Sequence, residues 1–272
     1  MNRHVKTGIG ILSVIIFIAI FAPVLSTHDP YELGIPYLPP STEHFLGTND
    51  VGQDIFSELL YGSRISLLIG IVSAFVVTVI GTFLGTVAGY CGGMTDKIIV
   101  QISNVAMSIP SLALTIVLVA FMETNLKNLI IAICVTAWTS TMRIVRSRVQ
   151  QIKEQPFVKL EKTMGASSFY IMFRHILPNL GEIVFVRGVM GVTNAMLTEA
   201  SLSFFGLGVL GQKSWGSILH YAFYRKGIIN GYYWWYLPPI ICISLSVLGF
   251  MLLGYYGKNN GKSKSRRKIV NA

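Results

Sequence analysis

ISLLIGIVSAFVVTVIGTFLGTVAGYCGGMT, residues 65–95, holds no charged side chain between Arg64 and Asp96. A helix needs about 20 apolar residues to cross a hydrocarbon layer of ~30 Å, so this run is long enough to span a membrane. Read outward with the same rule, the chain offers five more spans. The first is Gly8 to Ser26, and the third lies between Lys97 and Glu123. The fourth starts after Lys127 and runs to about Arg146, the fifth runs from near Ile183 to the glycines at 206 and 208, and the sixth from about Trp235 to Tyr256. The expected fold class is all-α, a polytopic membrane protein with six transmembrane helices. Arg3 and Lys6 ahead of the first span give it the order of a secretory signal, but such signals have an apolar region of about 7 to 15 residues and a small-residue cleavage site. Ala22-Pro23-Val24-Leu25 is a poor one, so an uncleaved first span is expected. Trp and Tyr at the start of the sixth span suit interfacial anchoring.

Composition agrees: 52% of the 272 residues are hydrophobic and 12% charged, against roughly 25% charged in soluble domains. The net charge of +10 could suggest nucleic acid, so its placement decides. With the N-terminus inside, the inner segments hold Arg3, Lys6, Lys97, Arg143, Arg146, Arg148, Lys153, Lys159, Lys162, Arg174 and the tail cations. The segment between the first two spans carries Asp29, Glu32, Glu43, Asp50, Asp54 and Glu58 instead. This is the positive-inside pattern of a multi-pass protein with both termini cytoplasmic, with the lipid bilayer and not nucleic acid as partner. Cys91, Cys134 and Cys242 are odd in number and widely spaced, supporting neither a disulfide framework nor a Cys-based zinc site. The expected organisation is an N-terminal anchor with an acidic outer segment (1–64), a five-helix core (65–257) with a cytoplasmic loop at 146–180, and a basic tail (258–272).

Two motif matches are dismissed. Gly257 to Ser263 resembles a phosphate-binding loop, but its glycine spacing is one residue short and no strand precedes it. Gly206, Gly208 and Gly211 satisfy G-x-G-x-x-G but follow a membrane-embedded stretch rather than a strand, so packing or helix termination is expected. The histidines at 4, 28, 44, 175 and 220 are scattered, H-E-x-x-H is absent, and no Ser/His/Asp or paired-carboxylate set appears. No catalytic residues and no metal site are expected, so energy for any pumping must come from an ion gradient or another chain.

The informative loop contains EQPFVKLEKTMGAS, residues 154–167. Pro156 suits a helix start and Gly165 a C-terminal cap. Between them Phe157, Leu160 and Met164 recur at i, i+3 and i+7, giving a short helix with one apolar stripe that needs something to pack against. A second apolar stretch, Phe169 to Phe173, follows, then Arg174-His175-Ile176-Leu177-Pro178-Asn179. The expectation is a helix-turn-helix on the cytoplasmic face.

At these residues the chain resembles the permease subunits of binding-protein-dependent ABC importers of the peptide and nickel class, whose inner loop carries E-A-A, Gly, then H-I-L-P-N. The resemblance covers nearly the whole chain. It includes His44-Phe45-Leu46-Gly47-Thr48, Gly52, Asp54, Ser57, Tyr61-Gly62-Ser63-Arg64, Gly89-Tyr90, Gly92-Gly93, Asp96, Pro110, Trp138, Arg143, Arg146, residues 199–208 and Ser214-Trp215-Gly216. It implies the type I importer (MetI-like) permease fold. The loop helix is then a coupling helix for a separate ATPase, with Phe157, Lys159, Leu160, Glu161, Met164, Gly165, Ala166 and Ser167 as coupling residues and His175, Pro178 and Asn179 shaping the loop. The implied partners are a second homologous permease, one or two ATP-binding subunits and an extracytoplasmic solute-binding protein. No cofactor is expected on this chain, ATP and Mg belonging to the partner subunits.

The departures are specific. Aligned through Gly165, the family's E-A-A falls on Lys159-Leu160-Glu161, a cation in place of the usual acid. Glu161 lies about 200° around the helix from 159 and cannot stand in. Gln101 and Asn104 replace an Arg and an Asp, whose joint loss avoids an unpaired buried charge. Gln53 replaces an Arg, and Asn49 an Asp. Glu199, late in the fifth span, could touch substrate or gate the path, although a structural carboxylate bonded to neighbouring hydroxyls is the plainer reading. Pro110 reads as a kink in the third span. A stand-alone secondary transporter would show an inverted repeat and more intramembrane charge, and a membrane scaffold would bind partners without moving substrate. The H-I-L-P-N and G-A-S stretches look like peptide permeases, whereas the weak E-A-A is closer to the nickel and metal-chelate branch; di- and oligopeptides are the expected cargo.

Overall fold

The structure is a computed structural model and describes residues 3–257. In chain order its helices are α1 (Arg3–Leu25), α2 (Ile55–Cys91), α3 (Gly93–Met107), α4 (Ser111–Ala120), α5 (Leu126–Lys153), α6 (Pro156–Thr163), α7 (Ser168–Ile171), α8 (Leu177–Leu202), α9 (Trp215–Tyr224) and α10 (Tyr233–Gly257). π-helical turns at Met172–Ile176 and Ser203–Leu207 flank α8. Among the described residues there is no strand, only an isolated bridge between Thr48 and Asp54. Among the described residues five helical segments are long and apolar enough to cross a membrane, and the bent pair α3 and α4 meets the same test when taken together. The basic tail lies outside the described residues.

Four boundaries differ from expectation. Helix α2 begins at Ile55, not at Arg64, and its 37 residues reach about 55 Å at 1.5 Å per residue. Asp54 caps it by accepting from the Ser57 N–H at 2.8 Å, and Glu58 in its first turn is neutralised by Lys213 from a distant loop. The organisation boundary expected at residue 64 therefore falls inside α2. The loop expected at 146–180 is shorter, because α5 continues to Lys153 and α8 begins at Leu177. The third span is broken rather than kinked: α3 and α4 meet at 80°. Pro110 has no N–H to donate and forces Ile109 away from helical backbone, so the ladder stops there and restarts at Ser111. At the start of α10, Trp235 is 1% exposed and belongs to the core, its ring 6.1 Å from Tyr37, leaving the exposed Tyr233 to suit an interfacial position.

Helix α2 is the central element, packed along α5 and α8. Gly81, Gly85 and Gly89 form one stripe facing α5; a Cβ on Gly85 would meet the Met142 carbonyl at 2.6 Å and one on Gly89 the Arg146 carbonyl at 2.8 Å. Without side chains there, the two backbones approach closely, which gives packing energy where lipid supplies no hydrophobic drive between helices. Phe75, Val79, Ile80 and Phe83 on the same helix are exposed, as a face toward lipid or a neighbouring subunit would be.

Candidate functional site

One end of the bundle is held by cations from α5. Arg146 donates to both carboxylate oxygens of Asp96, from Nε to Oδ1 and from Nη2 to Oδ2 at 2.6 Å. Lys153 Nζ donates to the Tyr90 carbonyl at 2.7 Å. Arg143 donates to Ser103 Oγ at 3.1 Å and to Asn104 Oδ1 at 2.7 Å. Gln101 and Asn104 are both exposed, so the buried-charge argument for their joint replacement does not apply; Asn104 instead serves as an uncharged acceptor for Arg143.

On this end sits α6. Pro156 starts it, and a Schellman turn ends it: the Ala166 N–H reaches the Glu161 carbonyl at 3.1 Å and the Gly165 N–H the Lys162 carbonyl at 3.2 Å. That turn needs a left-handed residue, and Gly165 has φ +84°. Ala166 then tucks against the core, and Ser167 caps α7 by accepting from the Tyr170 N–H at 3.2 Å. Gly165, Ala166 and Ser167 thus turn, anchor and restart the chain.

The side of α6 that faces inward lies off the Phe157, Leu160 and Met164 stripe. Val158, 2% exposed, packs with Val149, Ile152, Ile171, Ile176 and Leu180. Phe157, Leu160 and Met164 are 43%, 61% and 75% exposed, an apolar surface facing away from the bundle. Lys159 is exposed and bonded to Glu154 at 2.8 Å, which holds the Glu154 carboxyl below the usual carboxylate range. Glu161 Oε1 lies 3.3 Å from His175 Nε2, and the His175 ring sits 6.1 Å from Phe157 and 5.7 Å from Tyr170. Pro178, lacking an N–H and crowding the carbonyl four residues back, accounts for the π turn just before it. Asn179 Nδ2 donates to the His175 carbonyl at 2.6 Å.

Further along α5 and α8, the break between α3 and α4 opens a cavity of about 480 Å³, lined among others by Ala74, Thr115, Thr136, Ser140, Arg187 and Asn194. Ligand cavities run from about 300 to 1,000 Å³. Arg187 projects from α8 and donates through Nη2 to Ser140 Oγ at 2.9 Å, with Thr141 Oγ1 at 3.5 Å. Its Nε is buried without a partner. Sequence reading missed this residue, although the signal was present: an Arg four residues into a span otherwise read only for Glu199.

Glu199 is elsewhere. It is 1% exposed, with Ser66 donating to Oε2 at 3.2 Å and Ser203 to Oε1 at 2.7 Å. Ser66 in turn accepts from the Trp215 N–H at 3.2 Å, and Glu199 does not line the cavity.

The opposite, acidic end carries a polar cluster. Lys213 Nζ meets Glu58 Oε1 at 2.5 Å and Gln53 Oε1 at 2.6 Å, while Asn49 Nδ2 donates to both Gln53 and Glu58 at 3.0 Å. Asn49 and Gln53, replacing an acid and a base, are thus hydrogen-bonded to each other. Lys213 was also missed, because its partner lies 155 residues away. His28, Glu43 and His44 offer ligand atoms within 4.8 Å of one another, with His44 Nδ1 held 3.0 Å from Asp54. These are the described donors that could hold a metal ion, and Glu43 among them is exposed to solvent.

A helical bundle with helices long enough to cross a membrane, a broken span, a cavity at the break and an apolar helix exposed at one end fits the class of a transport subunit. The chain belongs to the family of binding-protein-dependent transport system inner membrane components, matching it over residues 81–258. It is 36% identical over 256 residues to a dipeptide transport system permease protein of Bacillus subtilis (strain 168), covering 93% of this chain and 79% of that one. An oligopeptide transport system permease of the same organism is also 36% identical, covering 93% and 83%. A glutathione transport system permease of Pectobacterium atrosepticum is 35% identical over 259 residues, covering 93% and 85%. The inward-facing MetNI methionine ABC transporter matches in fold with a TM-score of 0.60 at 19% identity, over 73% of this chain and 94% of that one. The protein is a multi-pass permease subunit of the cytoplasmic membrane with the MetI-like fold, and this family membership sets aside the stand-alone transporter and scaffold readings.

Proposed function

We propose that the chain forms half of the pathway of an ATP-driven importer of di- and oligopeptides, with a second, similar permease supplying the other half. ATP-binding subunits dock on α6, a solute-binding protein delivers peptide to the acidic end, and both termini lie in the cytoplasm. The relatives above are named for dipeptides, oligopeptides and glutathione, which favours peptide over nickel as cargo.

The single observation that carries the coupling role is the division of α6. Val158 is locked into a core shared by α5, α7 and α8, while Phe157, Leu160 and Met164 face outward. Helices α5 and α8 leave that same core and go on to line the cavity. A displacement of α6 by an ATPase therefore moves two cavity walls together, as a two-state rocking biased by ATP contacts made on other chains. Leu160→Asp tests it in the reconstituted complex of both permeases, ATPases and binding protein. Peptide uptake and ATPase association should fall at least about tenfold with Tm unchanged, since truncating an interface anchor costs about 2 kcal/mol or more. Retained association with normal uptake would remove α6 from the coupling path.

A further inference from the structure

We infer that Arg187 is a transit site for the peptide's C-terminal carboxylate, an assignment that rests on the peptide reading above. Arg187 lies ten residues after the start of α8 and fifteen before its end. At 1.5 Å per residue that is about 15 Å from one end of the helix and about 22 Å from the other, and about 6 Å inside the expected start of the span at Ile183. An Arg within a span is costly and persists where it faces a partner or a wet cavity.

Here it faces the cavity, and its partners are incomplete. Two hydroxyls, Ser140 and Thr141, share Nη2, while Nε is buried and unbonded. Among the described residues no carboxylate pairs with it, although four other Lys or Arg side chains are paired with carboxylates. Hydroxyls orient a guanidinium without neutralising it. With Nε enclosed, the Nη1 and Nη2 N–H groups that these hydroxyls leave free form the planar fork that fits a carboxylate bidentately. The fixed positive charge repels the ammonium end of a peptide, so the carboxylate end is the one that settles at Arg187. Asn194, which also lines the cavity from α8, offers a hydrogen-bonding amide to peptide groups without a second charge. One cation among neutral polar groups holds cargo weakly enough to release it, as a conduit requires.

The test uses the complete complex in proteoliposomes, with radiolabelled dialanine and dialanine amide, each at a concentration that saturates the binding protein. R187Q should lower dialanine uptake about tenfold, the scale of one charge-assisted hydrogen bond, while amide uptake falls less than about twofold. R187K, which keeps the charge but not the fork, should recover only part of the dialanine rate. Equal falls for both peptides in an intact complex would overturn the assignment, as would unchanged uptake of both. Loss of association between the two permeases in R187Q would also overturn it, by making Arg187 the partner of an acid on the neighbouring permease. Wild-type complex that moves neither peptide would refute the peptide reading itself, and the carboxylate assignment with it.

Discussion

Glu199 and Arg187 lie twelve residues apart on α8, and their surroundings treat two intramembrane charges in opposite ways. Around Glu199 the seam is closed: both carboxylate oxygens accept from serines, and one of those serines caps a backbone N–H of α9. Around Arg187 the seam opens into the cavity, and one guanidinium N–H is left without a partner. A buried polar group whose bonds are all satisfied by its own chain has been used up by the fold. One that is left partly unsatisfied beside open space is available to cargo or to a neighbouring subunit. That an ionisable residue falls within a span therefore does not by itself mark a binding site; its hydrogen-bond accounting does.

The contrast can be broken most directly at Glu199. Glu199→Ala orphans two buried serine hydroxyls and leaves a void, so it should cost about 3 kcal/mol. Thermal unfolding of the detergent-solubilised complex would show this as a lowered Tm, with uptake per folded complex unchanged; lost uptake at normal stability would move Glu199 into the pathway. Ser203→Ala removes one donor and keeps the carboxylate, a milder version of the same break worth about 1 to 2 kcal/mol in the same assay. Arg187→Met should leave stability within about 1 kcal/mol of wild type or raise it, because an incompletely paired buried charge is replaced by apolar volume. Its uptake of free-acid peptide should fall nonetheless, separating stability from transport in the reverse sense to Glu199. The smallest effect on the fold is expected at Lys159, exposed and paired with Glu154 on α6. Lys159→Glu should leave Tm unchanged, yet lower peptide moved per ATP hydrolysed severalfold if the docked ATPase presents a neutral or acidic surface there. Unchanged or improved coupling would show that this edge of α6 has no such partner.

Much of the fold was legible in the chain because its signals are local. A charge-free run long enough to cross a bilayer identifies itself, and each of the six expected spans has a helical counterpart. The turn at Gly165 was legible for the same reason, since a left-handed cap selects glycine within a few residues of where it acts. The start of α2 was not: Glu58 and Arg64 look like the edge of a span until Lys213, far along the chain, is brought to Glu58. Nor was the direction of the α6 stripe. Its period is a property of the helix, but the rotation of a short helix tethered at both ends is set by the surface that α5, α7 and α8 offer to Val158. Pro110 announced a distortion, but neither the 80° bend between α3 and α4 nor the packing of α4 on α5 was legible from it.

The expected spans, the sign of charge at each end, the helix-turn-helix of the loop and the family were all legible along the chain, because hydropathy, charge and turn chemistry are read over a few neighbouring residues. Packing between distant helices settles which apolar side chains stay exposed on α6, that Glu199 is enclosed and that Arg187 lines a cavity. Those outcomes depend on which groups from distant helices arrive to satisfy or to cover each side chain, and a hydrogen bond or a buried surface exists only when both partners are in place.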